Sequence, residues 1–282
     1  MARRPSRPAR VLATAVAAGA LLTTAACSDG GASRASGSSD AVDATGAAAS
    51  PVAADSPSAS PTASPSNRLT TAGARTALIT EGDIEDDWTQ VKSAGRWRES
   101  LLVGKVDVAG FLTAKTDAAD CQKLLDSLYG DALLGKPSGP SAVTGFQDGD
   151  SRLFYQVAAY DPARLDTALT WMRTLPAKCA SFTATGKGGK RAVRVTEESV
   201  PNEGDARQGL RVTVQGNVGG SPTTLTLDVA AVRVGDDAIT VTAGGLGGGQ
   251  QESVKEAVEQ GTQRLKDVLA GKTPAPNPGQ FD

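Results

Sequence analysis

The distribution of aromatic residues decides which part of this 282-residue chain can fold. Its three Trp, three Tyr and five Phe residues all lie at or after Trp88. The stretch 28–66 has no aromatic residue and consists almost entirely of Ala, Ser, Gly, Asp, Thr and Pro. Such a composition buries too little apolar surface to offset the entropy of ordering the chain. We therefore predict a disordered tether over residues 27–68, one folded domain over residues 69–272 and a disordered tail over residues 273–282.

The first 26 residues predict a secretory signal peptide. A basic start with Arg3, Arg4, Arg7 and Arg10 precedes the apolar run 11–26, which ends in small residues. This run is too short and too rich in Ala for a membrane span, which needs about 20 apolar residues. The general secretory route is favoured over the twin-arginine route, because the Arg3–Arg4 pair lacks the usual apolar residues after it.

Cys27 follows the signal directly and is predicted to carry the lipid. The stretch 22–27 resembles a bacterial lipobox, although Thr24 stands where the usual pattern has Leu. Two acyl chains on Cys27 would anchor the mature protein stably on the extracytoplasmic face of the cell membrane. The alternative is a soluble secreted protein with Cys27 as a spare thiol, which is disfavoured because an exposed thiol outside the cell is reactive.

The net charge argues against one class of partner. The chain has 29 basic and 31 acidic residues, and removal of the four signal arginines leaves 25 basic against 31 acidic residues, a formal charge of −6. Proteins that bind nucleic acid usually present a basic face. We therefore expect no nucleic-acid partner, and contact with the membrane through the lipid at Cys27 only.

The order of periodic segments predicts the fold class. A helical segment near residues 117–128 precedes two alternating strands, 141–147 and 151–160, joined through Asp148–Gly149. A second helix, several strands in succession and a closing amphipathic helix over residues 251–269 follow. This order predicts an α+β domain with a mainly antiparallel β-sheet flanked by helices.

Local signals set the expected ends of the first two helices. Thr116 or Asp117 is expected to cap the first helix and Gly130 to end it. Asp161 followed by Pro162 is a strong start for the second helix, which is expected to stop by Pro176.

The layout resembles a known family. Cys121 in a helix, the strand from Leu153 to Tyr160, the next helix and Cys179 come in the same order as in the extracellular sensor domain of the receptor kinase PknH and related actinobacterial lipoproteins. The resemblance covers roughly residues 79–269, including Gly235–Asp236 before the last strand. It implies an antiparallel sheet flanked by helices, with a cleft for a ligand. The chain departs from the kinase in having one candidate disulfide instead of two, and it has no kinase domain.

The cysteines and the absent histidines restrict the chemistry. If Cys27 is lipidated, Cys121 and Cys179 remain, and an exported protein would normally pair them in a disulfide. The chain contains no His, which removes Ser-His-Asp and Cys-His nucleophiles and zinc sites with His ligands. We therefore expect no cofactor, no metal and no enzymatic activity. A glycosidase that uses two carboxylates remains the one open enzymatic alternative.

Three further features are interpreted as structural. The glycine run 244–249 lacks the Gly-Lys-Ser/Thr ending of a phosphate loop and is expected to be a flexible loop before the last helix. The acidic cluster of Glu81, Asp83 and residues 85–87 is expected to be a solvated turn. The three tryptophans are expected to be packed or half-buried, and Trp97, between two arginines, is the one expected to face outward.

Together these features predict a lipid-anchored extracytoplasmic lipoprotein whose domain binds a small molecule, a cell-wall component or a partner protein without catalysis. A structural or assembly lipoprotein without a small ligand is the alternative. A carbohydrate-active enzyme is the third hypothesis.

Overall fold

The computed structural model describes residues 68–84 and 88–275. The predicted signal peptide, Cys27, nearly all of the predicted tether, residues 85–87 and most of the predicted tail lie outside the described residues. No helix in the described part of the chain is long and apolar enough to cross a membrane.

Over the residues that the structure describes, the domain is built on one nine-stranded sheet. Its strands, in spatial order, are β1 (Thr89–Gln90), β4 (Ser141–Asp148), β5 (Ser151–Ala159), β10 (Asp237–Gly245), β9 (Ser221–Val234), β8 (Ala206–Val218), β7 (Gly189–Glu197) and β6 (Ser181–Gly186), and the short β11 (Gly248–Gly249) pairs with β10. A separate two-stranded sheet consists of β2 (Leu102–Val103) and β3 (Val106–Asp107).

In the described residues, five α-helices flank the large sheet. They are α1 (Thr71–Thr76), α2 (Val108–Leu112), α3 (Ala119–Ser127), α4 (Pro162–Lys178) and α5 (Gln251–Leu269). Every strand pair in the described residues is antiparallel. The predicted fold class, an antiparallel sheet flanked by helices, is therefore confirmed.

The two faces of the sheet form two separate cores. On one face, buried residues of α2, α3 and α4 pack with inward residues of β7, β8 and β9 such as Val195, Val212 and Leu227. On the other face, α1 and α5 cover Tyr155, Val157 and their neighbours on β10. Successive strand residues point to opposite faces, so both sides of the central strands must be apolar.

Several local predictions agree with the structure. Asp148–Gly149 joins β4 to β5, and Gly149 has a positive φ of 45°, a conformation that glycine adopts without strain. Asp161 caps α4, where its side chain accepts a hydrogen bond from the backbone N–H of Arg164. The last helix has the predicted bounds of residues 251 and 269.

Three predictions about helix ends are wrong. The first predicted helix begins later, at Ala119, after an N-cap residue Ala118 that makes no side-chain capping hydrogen bond. After this helix the left-handed residue is Tyr129, with a φ of 53°, and Gly130 does not take that role. The second helix does not stop at Pro176 but continues to Lys178, with the proline inside its last turn.

The half of the sheet formed by β6, β7 and β8 has one covered face and one open face. On β7, Val193 and Val195 point into the core, while Arg194 and Thr196 on the other face are exposed. The edge strand β6 was not predicted, although Phe182 and Ala184 alternate with polar residues along it. Its outer edge is paired in part by Lys115, whose backbone exchanges two hydrogen bonds with Thr185.

Candidate functional site

The two predicted disulfide partners are joined in the structure. Cys121 on α3 and Cys179 at the end of α4 form a disulfide bond, and both are fully buried. Beside them, Asp120 accepts hydrogen bonds from the Trp171 indole at 3.0 Å and from Lys178 Nζ at 2.8 Å. The hydrogen bond from Lys178 is the main reason that the pKa of Asp120 is lowered. This region therefore fastens α3 to α4, and its groups are already paired with one another.

The tryptophans do not line a common cleft. Trp97 is buried, so the expectation that it faces outward is wrong. Its ring makes an edge contact with Tyr129 at 5.7 Å between centroids and a tilted contact with Phe154 at 6.1 Å. Trp88 is buried in the other core and donates to Ser253 Oγ at 3.2 Å. Trp171 is half-buried, with Lys123 Nζ 3.8 Å from its ring centroid.

Two of the structural interpretations need correction. Asp83, expected in a solvated turn, is buried and lies 3.2 Å from Arg264 Nη1 on α5. The glycine run is not a flexible loop, because residues 244–245 end β10 and residues 248–249 form β11. A Cβ atom on Gly245 would lie 1.8 Å from the Asp150 carbonyl oxygen, so this position needs glycine to let two backbones meet. Residues 85–87 of the acidic cluster lie outside the described residues.

A cavity of about 500 Å³ near the β7–β8 connection carries carboxylates. Its lining includes Glu197, Glu198 and Asp205. Glu198 is engaged there, because it forms an ion pair with Arg211 at 3.4 Å and accepts a hydrogen bond from Gln251. In the described part of the chain no three His, Cys, Asp or Glu side chains are placed to hold a metal ion.

A second cavity, of about 410 Å³, lies where β5 ends and α4 begins. Asp161, Asp236 and Asp237 contribute to its lining. Burial raises the pKa of Asp237 to about 6, and repulsion from Asp236 adds to this while Arg68 opposes it. The cavity is therefore acidic, and one of its carboxyls changes charge near pH 6.

The third cavity, of about 460 Å³, holds the most unusual side chain in the domain. It lies between α2 and the tips of the β6–β7 and β8–β9 hairpins, and we call it the Arg191 cavity. Its lining includes Asp107, Phe111, Lys187, Gly188, Arg191 and Asn217.

Arg191 is buried among groups that do not neutralise its charge. The residue is 4% exposed, and its Nε and Nη1 atoms have no hydrogen-bond partner within the described structure. Its Nη2 atom donates to the carbonyl oxygen of Lys187 at 2.9 Å. No carboxylate of the described residues lies within ion-pair distance of Arg191. Burial lowers the pKa of the guanidinium, which nevertheless stays charged at neutral pH.

The neighbours of Arg191 are shaped to admit it. The guanidinium carbon lies 4.5 Å from the centroid of the Phe111 ring, in a cation–π contact. A Cβ atom on Gly186 would lie 2.2 Å from Arg191 Nη1, and one on Gly216 would lie 3.0 Å from Arg191 Cγ. Gly186, Gly216 and the Phe111 ring therefore leave space for a buried cation.

Sequence reasoning did not single out Arg191. One signal was available: residues 186–191 combine three glycines with two lysines and an arginine around the start of β7. A basic turn of this kind is usually solvated, so the sequence does not reveal that alternate residues on β7 carry Arg191 into the core. The predicted lipidation site, Cys27, lies outside the described residues.

Comparisons with known proteins give little. No protein-family model matches the chain, and no curated protein matches it. Among solved structures, the chain is similar to the extracellular domain of PknH from Mycobacterium tuberculosis, with a TM-score of 0.41 and 13% sequence identity over 72% of this chain and 98% of that chain. A similarity at this level carries no information about ligands or residue roles in this chain.

Proposed function

We propose that this chain is a lipid-anchored extracytoplasmic protein whose domain binds a small ligand in the Arg191 cavity and catalyses no reaction. The observation that carries the proposal is the buried guanidinium with two nitrogens that have no acceptor. Burying a charge without a counter-charge costs roughly several kcal/mol, and native proteins rarely leave such a group with unsatisfied nitrogens unless it serves a function.

The shape of the site supports binding. The cavity volume of about 460 Å³ is within the usual range for small-molecule sites. The lining combines one aromatic ring and glycine-rich backbone with charged and polar side chains, so it offers a ligand polar contacts more than apolar surface. None of these groups has the neighbours that would activate a nucleophile, and a lone Arg is no general base at neutral pH.

Anchoring rests on the sequence. The signal peptide over residues 1–26 and the lipobox-like stretch before Cys27 support export and acylation. The composition of residues 27–68 supports a spacer that lets the domain sample the wall around its anchor. Changing Cys27 to Ala should release the protein into the medium or stall its processing, whereas an intact mass with an unmodified Cys27 at the mature terminus would refute the anchor.

Native mass spectrometry tests the binding function. The full chain is extracted from its own cell envelope together with two variants, Arg191→Met and Arg194→Met. Arg194 is the matched control, because it lies on the same strand but is exposed on the opposite face. We expect a retained ligand mass on the parent chain and on Arg194→Met, and its loss from Arg191→Met.

Two results would contradict the proposal. Folded parent protein without any adduct would favour the structural or assembly lipoprotein instead. Turnover of a glycan, ester, phosphoester or peptidoglycan substrate that a single Asp or Glu substitution abolishes would establish an enzyme.

A further inference from the structure

We infer that the ligand of the Arg191 cavity is a small oxyanion, bound by the Arg191 guanidinium after the β6–β7 turn shifts from it. The chemical class is a phosphate, sulfate or carboxylate group, alone or on a small organic molecule. This inference rests on the proposed function, since it names the ligand class of the same cavity.

The charges around the cavity favour an anion. Arg191 and Lys187 are the two cations of its lining, and Asp107 is the one acid. The Asp107 carboxylate is already engaged at the start of α2, where its Oδ1 atom accepts from the backbone N–H of Gly110 at 2.9 Å. The lining therefore carries a net positive charge, and its buried cation has no carboxylate partner.

The hydrogen bond that Arg191 now makes is weaker than a hydrogen bond to an anion would be. Its Nη2 donates to a neutral carbonyl, whereas hydrogen bonds between a guanidinium and an oxyanion are charge-assisted and roughly twice as strong. The planar guanidinium also offers adjacent N–H groups in the fork that phosphate and carboxylate oxygens match. An arriving oxyanion can therefore replace the Lys187 carbonyl and satisfy nitrogens that lack acceptors.

The β6–β7 turn beside the guanidinium contains glycines whose surroundings leave room for a shift. The Nε and Nη1 atoms are shielded from solvent. The β6–β7 turn lies against the guanidinium, because the Lys187 carbonyl accepts from Nη2 and a Cβ atom on Gly186 would lie 2.2 Å from Nη1. A shift of this turn is the route that the inference assigns to the ligand. Gly188 and Gly189 have positive φ values of 91° and 107°, and a Cβ atom on either would meet nothing closer than 3.5 Å. Glycine has the widest choice of backbone conformations, so a shift at these two positions costs little in backbone strain.

The surroundings argue against selection by an apolar ligand group. Phe111 is 2% exposed, and its ring already contacts the guanidinium. No other aromatic residue contributes to the described lining. The cavity therefore selects its ligand by charge. The rest of its volume can hold the organic part of a small molecule that bears the oxyanion.

Side-chain nuclear magnetic resonance tests the inference on the full chain. The Nε–H signal of Arg191, assigned by its loss in Arg191→Lys, is followed during titrations with inorganic phosphate, sulfate and acetate at constant ionic strength. Methylammonium and glucose serve as a cationic and a neutral probe. We expect saturable shifts of this signal with at least one oxyanion and no shift of the exposed Arg194 signal.

Variants make the test specific. Loss of one charge-assisted hydrogen bond in Arg191→Lys should weaken oxyanion binding about tenfold or more, read from the Lys187 and Gly188 amide signals. Lys187→Gln, a surface change that spares the core, should weaken it by a few-fold through lost charge. Arg194→Met should bind as the parent chain does.

The outcomes separate this inference from the proposed function. If glucose or methylammonium shifts the Arg191 signal and no oxyanion does, the ligand class is wrong while a binding cavity stands. Equal oxyanion affinity in the parent chain, Arg191→Lys and Lys187→Gln would also overturn the inference. If no probe binds and the envelope protein retains no ligand, both proposals fail.

Discussion

The guanidinium of Arg191 lies over the Phe111 ring at 4.5 Å, in space that only glycine at position 186 leaves open. We predict that Gly186→Ala forces the guanidinium or the β6–β7 turn to move and lowers the free energy of unfolding by about 1–3 kcal/mol. Gly247→Ala is the control, because its Cβ atom would meet nothing within 4 Å. Urea denaturation of both variants checks this prediction. Equal stabilities of Gly186→Ala and Gly247→Ala would show that the site accommodates a methyl group at position 186.

A second prediction concerns the ion pair between Arg211 and Asp228. The Asp228 side chain is 1% exposed, and its Oδ1 atom accepts from Arg211 Nε at 2.7 Å. This hydrogen bond is the main reason that the pKa of Arg211 is raised. Arg211→Met would leave the carboxylate buried and unpaired, so we expect a loss of about 2–3 kcal/mol in unfolding free energy, less than for a fully buried pair.

The double variant Arg211→Met with Asp228→Asn sharpens that test. Removal of both charges takes away the unpaired carboxylate, so the double variant should be more stable than Arg211→Met alone. Arg194→Met, an exposed change on the same face of the sheet, should stay within about 0.5 kcal/mol of the parent chain. A double variant no more stable than the single one would place the loss elsewhere than in the charge of Asp228.

The third prediction is a pH dependence set by Asp237. Burial raises its pKa to about 6, above the unfolded value of about 3.9. The folded state therefore holds the proton more tightly, and ionised Asp237 costs stability. The cost is absent below about pH 4, grows as the pH rises and is complete above about pH 6.

Asp237→Asn removes this cost. Relative to the parent chain, the variant should therefore gain on the order of 1 kcal/mol between pH 4 and pH 7, a value reduced for screening by solvent at the cavity mouth. Thermal unfolding of both proteins across this range gives the difference directly. A flat difference between Asp237→Asn and the parent chain across this range would refute the raised pKa of Asp237.

The disulfide bond provides the fourth prediction. Cys121 and Cys179 are 58 residues apart, so the chain-entropy model predicts a loss of about 4 kcal/mol when both are changed to Ser. Denaturation of the oxidised parent and the double variant checks the value. Peptide mapping without reductant should find the cross-linked pair in envelope protein, and free thiols at both positions would contradict it.

Local sequence signals predicted the parts of the fold that depend on near neighbours. The cap at Asp161, the turn at Asp148–Gly149 and the alternation in β5 each act within a few residues, so they can be read from the chain. The apolar stripe of α5 is equally local, and its predicted bounds agree with the structure.

Features decided by distant residues were missed. Trp97 lies between Arg96 and Arg98 in sequence, yet it packs against Tyr129 and Phe154. The residues next to Trp97 in sequence do not predict these contacts. The glycine run ends as a hairpin because distant backbone at Asp150 meets it. Arg191 was missed for the same reason, since its buried position depends on Phe111 and Gly216, which lie on other elements.

The packing of α1 decides where mechanical load enters the domain. Residue 68 leads directly into α1, which contacts β4, β5 and α5 on one face of the sheet. The Arg191 cavity lies on the opposite face beside β7, five strand positions from β4, or about 24 Å at the usual spacing. Tension drawn through the preceding segment is therefore borne by α1 and the strands beneath it. The β6–β7 turn lies off this force path.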